Sequence, residues 1–137
     1  MMTAFAQSAR QIVATQPGEP ASGARTAELA MQACERFANH LARLLGESGV
    51  QLLVKRSIVI ASAQFAWLSA GDGTQSAVVA MRVAMEQQQP ELIGDAFVAV
   101  LMAFVGLLER LIGPGLVERL LEEVWPGVFT DAAKDTL

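Results

Sequence analysis

His40 is the chain's one histidine, Cys34 is its one cysteine, and there is no tyrosine. Imidazole and thiol are the side chains that most often act as general base or nucleophile. Six residues apart on a helix, the two stand about 240° apart around its axis and cannot share a face. Neither has the further Cys, His or carboxylate neighbours that a metal ion needs. Cys34 falls on an apolar stripe, where cysteine behaves as a small hydrophobe. Glu118, Glu122 and Glu123 crowd into "ERLLEEVW", but their spacing places them on a water-facing side of a helix. "GDGT", residues 71–74, is a lone turn, without the length or the lysine of a phosphate-binding loop. The expectation is a protein that is not an enzyme and that uses no cofactor and no metal.

"HLARLLG", residues 40–46, resembles in part the H-x-L-K-G stretch of histidine phosphotransfer domains, which are small helical bundles. Arg43 stands at the offset of that family's basic residue. The leucine comes one place early, as Leu41, and Leu44 occupies the place of the glycine. The resemblance covers about five residues. It implies, as an alternative function, that His40 accepts a phosphoryl group and that Arg43 steadies it.

Ten basic residues stand against fourteen acidic ones, for a net charge of −4. A nucleic-acid partner calls for a basic stripe to neutralise phosphates, so none is expected. Hydrophobic residues make up 53% of the 137 positions, enough for one domain with a substantial core. The longest uncharged apolar stretch of the C-terminal half, "AFVAVLMAFVGLL" at residues 96–108, is shorter than the roughly twenty residues a membrane span needs. It is expected to be a buried central helix. "MMTAFAQSARQIVATQ" lacks a basic start and a long apolar run, so no signal peptide is read there and the location is expected to be cytoplasmic.

"TQPGEPASG" carries linker chemistry. Residues 1–23 are therefore expected to be a flexible N-terminal arm, and residues 24–137 a single helical-bundle domain. From Ala24, apolar residues at three- and four-residue steps predict a helix that ends at Gly46. Ser48 with Gln51 forms a capping-box pattern opening a second helix that runs to about residue 70. Asp72 with Gln75 makes a similar pair before a third helix, over about 74–88. Pro90 suits the first turn of a fourth, whose residues 91–112 should be the centre of the bundle. Pro114 opens a fifth, closed by Pro126 and Gly127. The fold expected is all-α, a compact bundle of four to five helices.

Residues 39–56 and 107–125 share the pattern L-x-R-L-[LI]-G-x-x-x-V-x-x-L at a shift of 67 positions. Both read as one helix–Gly–helix corner, either by convergence on good corner residues or by an internal duplication. The second helix is apolar around most of its circumference while lying outside the centre. Its outward residues, drawn from Leu52, Val59, Ile60, Ala63 and Trp67, should form an exposed apolar patch, the usual mark of a contact surface. The function expected is a helical interaction or regulatory module that binds a protein partner or pairs with itself, most simply as a homodimer. A domain that binds a hydrophobic small molecule or senses one is the alternative, and an enclosed apolar cavity would favour it.

Overall fold

The structure, a computed structural model, describes residues 3–14, 22–71 and 76–129. All regular structure among them is helical: α1 (Thr3–Ile12), α2 (Gly23–Leu45), α3 (Glu47–Ala61), α4 (Ala77–Glu86), α5 (Pro90–Ile112) and α6 (Pro114–Val124). That is one helix more than the four or five expected, because residues 3–12 are helical as well.

α5 lies at the centre and packs on α1, α2, α3 and α6, while α4 packs on α2 and α3. Ile93, Ala96, Phe97, Leu101, Phe104 and Leu108 are among its buried residues. An 18-residue window of α5, with mean hydropathy 2.1, is long and apolar enough to cross a membrane, yet 56% of it is buried against the rest of the protein. The helix thus exceeds the thirteen-residue stretch seen in the sequence, and packing accounts for somewhat more than half of its apolar window.

Local signals set most helix ends. Ser22 caps α2, its hydroxyl accepting from the Arg25 N–H at 3.1 Å. Ser76 caps α4 by accepting from Val79 N–H at 3.2 Å. Pro90 and Pro114 occupy the first turns of α5 and α6, where a missing N–H leaves no hydrogen bond unmade. Gly46 and Gly113 each end one helix and begin the next, at φ 80°, ψ 156° and φ 87°, ψ 152°. Only glycine adopts that region without strain.

Three sequence expectations need correction. Gly46, not Ser48, is the N-cap of α3, and no side-chain capping bond forms there, since Ser48 already lies inside the helix. The helix also stops at Ala61, well short of residue 70. Ser62 turns its hydroxyl onto the Val59 carbonyl at 2.6 Å, and the chain tightens into turns, with Gln64 N–H on the Ala61 carbonyl at 3.0 Å. The bend drops Leu68 into the core and packs Phe65 and Trp67 against it, a tertiary gain that no local breaker announces. Finally, α4 begins at Ala77 rather than near residue 74; the Asp72–Gln75 pair lies outside the described residues.

Residues 3–14, part of the segment expected as an arm, pack against α5. Phe5, Ala9 and Val13 recur at four-residue steps, Ala9 and Val13 are buried, and Arg10 pairs with Asp95 of α5. The Phe5 ring stacks on Phe129 at 5.0 Å, and Phe129 meets Trp125 at 5.8 Å. Trp125 meets Phe37 at 5.3 Å, and Phe37 meets Phe104 at 5.5 Å. This run of rings joins α1, α2, α5 and the segment after α6. The segment's own pattern is amphipathic enough for a helix, but nothing local shows that its apolar face docks on α5.

Candidate functional site

α3 buries Val50, Leu53, Val54, Ser57, Ile58 and Ala61 on its inner side. Ser57 is wholly buried without cost in unmade bonds, since its hydroxyl donates to the Leu53 carbonyl at 2.7 Å. The outer side is what needs explaining. Leu52 is 61% exposed, Val59 56% and Ile60 49%. With ~100° and ~1.5 Å per residue, Leu52, Val59 and Ile60 fall on one stripe about 12 Å long. Arg56 stands at its midpoint and Lys55 at its edge, both exposed.

The other two residues expected on this patch belong elsewhere. Ala63 is exposed but sits in the turn after the helix. Trp67 is partly buried, edge-on to Phe65 at 5.8 Å, and its place in the bend removes it from the α3 stripe. Both displacements follow from the early end of α3.

His40 and Arg43 are on α2. His40 Nε2 lies 2.7 Å from Glu123 Oε1 on α6, tying the two helices together. Arg43 is exposed about one turn further along. A phosphoryl donor approaching Nε2 would meet the Glu123 carboxylate first, so this pairing suits a structural tie better than an acceptor. Residues 83 positions apart make it, beyond the reach of periodicity.

Cys34 lines a small apolar space with Phe37, Val54, Phe97, Phe104 and Trp125, about 20 Å³ in volume. Burial, helped by the nearby charge of Glu35, pushes its thiol up to about 12. At neutral pH the group is a thiol, not a nucleophilic thiolate. A wider cleft of about 310 Å³ lies between α1, α2 and α5, lined by Arg10, Val13, Thr26, Pro90 and Glu91. Among the described residues no three His, Cys, Asp or Glu side chains gather where they could hold a metal ion. Comparison with protein-family models, curated proteins and solved structures finds no match for this chain.

Proposed function

We propose that this protein is a non-enzymatic interaction module that docks another protein chain on the outer face of α3. The observation that carries the reading is the trio Leu52, Val59 and Ile60, each about half or more exposed on one face of a helix whose opposite face is buried. Isolated exposed leucines are ordinary; a contiguous stripe on one element marks a contact surface. The small-molecule alternative draws less support, because the apolar space beside Cys34, about 20 Å³, holds about one water molecule, and the cleft of about 310 Å³ is open to solvent and edged by Arg10 and Glu91 rather than enclosed and apolar. The test uses native-host extract to identify a bound protein, then purified components to measure it. Replacing Leu52 and Val59 together by serine should weaken binding at least tenfold without moving the thermal midpoint by more than a degree or two. Unchanged affinity would overturn the reading.

We also infer that the chain holds a duplicated helix–Gly–helix unit, α2–α3 and α5–α6, with α4 in the connection between the copies. α2 and α5 are each 23 residues long; they start at 23 and 90 and end at 45 and 112, an offset of 67 at both ends. At that offset Leu41 and Leu108 are both fully buried, as are Val50 and Val117 to within 1%, and Leu44 and Leu111 are both exposed. Phe37 and Phe104 are equivalent positions and touch one another, as residues beside a local twofold axis do. α1 packs on α5 and α4 packs on α2, although α1 and α4 are offset by 74 residues rather than 67. An experimental structure whose halves fail to superpose by a rotation near 180° would refute the duplication.

A further inference from the structure

The α3 face carries a charge in an unusual place. Amphipathic surface helices usually set their cations beside the apolar stripe, yet Arg56 is within it, midway between Leu52 and Ile60. Lys55 adds a second cation at the edge. No acidic residue occurs in the sequence between Glu47 and Asp72. Among the described residues neither Lys55 nor Arg56 has an ion pair. Resting on the docking role proposed above, we infer that the α3 face takes an amphipathic helix of a different protein, which lays apolar side chains on Leu52, Val59 and Ile60 and a carboxylate on Arg56.

The shape of the face argues for a helix. α3 satisfies its backbone internally and offers no free edge for a strand, so recognition runs through side-chain ridges and grooves. The charge argues for the acid. Covering the stripe removes Arg56 from water, and a buried guanidinium needs a carboxylate within hydrogen-bond reach. Arg56 also argues against two occupants that a second copy could supply. A twofold pairing of α3 with α3 centred on the stripe places Arg56 against its own copy, with Lys55 from both chains nearby and no acid to offset them. α6 of a second copy has the acids, Glu118, Glu122 and Glu123, but none of the large exposed apolar side chains among the described residues lies on it. A lipid surface fits less well too. It would draw the stripe's midpoint toward the acyl region while the lipid phosphates remain at the level of the stripe's edge.

The test uses the full-length protein and two synthetic helical peptides with the same leucine face, one with a central glutamate and one with a central lysine. Fluorescence anisotropy should show the glutamate peptide binding at least tenfold more tightly. Arg56→Glu should invert that order, and Leu52→Ser should weaken both peptides; circular dichroism confirms that each variant is folded. Equal affinity for the two peptides, or an order that Arg56→Glu leaves intact, would overturn this inference while sparing docking at α3. Indifference to Leu52→Ser would overturn the docking role as well. Concentration-dependent dimers that Leu52→Ser abolishes would assign the face to a second copy instead. Co-sedimentation with phosphatidylserine-containing vesicles that Arg56→Glu abolishes would assign it to a membrane.

Discussion

α3 and α6 follow the same kind of corner and then part company. Each leaves a glycine held at positive φ and buries a valine and then a leucine, Val50 and Leu53 in one, Val117 and Leu120 in the other. Outward, Leu52 corresponds to Arg119, Lys55 to Glu122 and Arg56 to Glu123. The inner residues are held to type by close packing, where a single methylene matters. The outer ones are free of that constraint. α6 carries an acidic, water-facing surface, with Glu123 bonded to His40; α3 carries an apolar one with a cation inside it. What the two helices share builds the fold, and where they differ is the place to look for function.

The largest effects should come from the shared inner positions. Leu41→Ala and Leu108→Ala each empty a fully buried site and should each lower stability by about 2–5 kcal/mol. Urea melts of the two variants would break the comparison if one cost several-fold more than the other. Next come the corner glycines. Gly46→Ala and Gly113→Ala meet no neighbour within 4 Å, but each forces a side chain into positive φ. Losses of about 1–3 kcal/mol are expected, equal within experimental error.

A pH series separates the halves through Cys34, whose counterpart at the 67-residue offset is Leu101. The folded protein holds the thiol proton up to about 12, whereas the ordinary value is 9.0. Between those values the unfolded chain has released a proton that the folded chain keeps, so rising pH favours unfolding. This contribution is intact below about 9 and is lost progressively as pH climbs toward 12. Stability curves of wild type and Cys34→Ala should therefore converge over that window. Parallel curves would show that the thiol is not sequestered. The smallest effects belong to the outer faces. Leu52→Ser and Arg119→Ser should each change stability by less than about 0.5 kcal/mol, while only Leu52→Ser should weaken the docking of a partner.

Much of the helix pattern could be read directly. α2 announces itself through three- and four-residue spacing, α5 through its long apolar run behind Pro90, and the stops at Gly46 and Gly113 through the chemistry of glycine. The place of α1 could not be read with the same ease, because its amphipathic pattern does not say that Ala9 and Val13 are buried against α5. The end of α3 was hidden for a related reason. "SIVIASAQFAW" contains no breaker, and the chain turns there because Leu68, Phe65 and Trp67 reach more apolar contact by bending than by continuing. Of the candidate patch, Leu52, Val59 and Ile60 lie where helical spacing puts them, while Ala63 and Trp67 depend on that bend.

By itself, then, the sequence determined the all-helical class, the twin corners and the apolar central helix, since these follow from propensity, capping and periodicity within one segment. Only the tertiary structure decided that residues 3–12 join the core, that α1 lies on α5 and α4 on α2, and that His40 meets Glu123. Those are contacts between segments far apart in the chain, chosen by which surfaces fit once every helix is present, and no local rule carries that information.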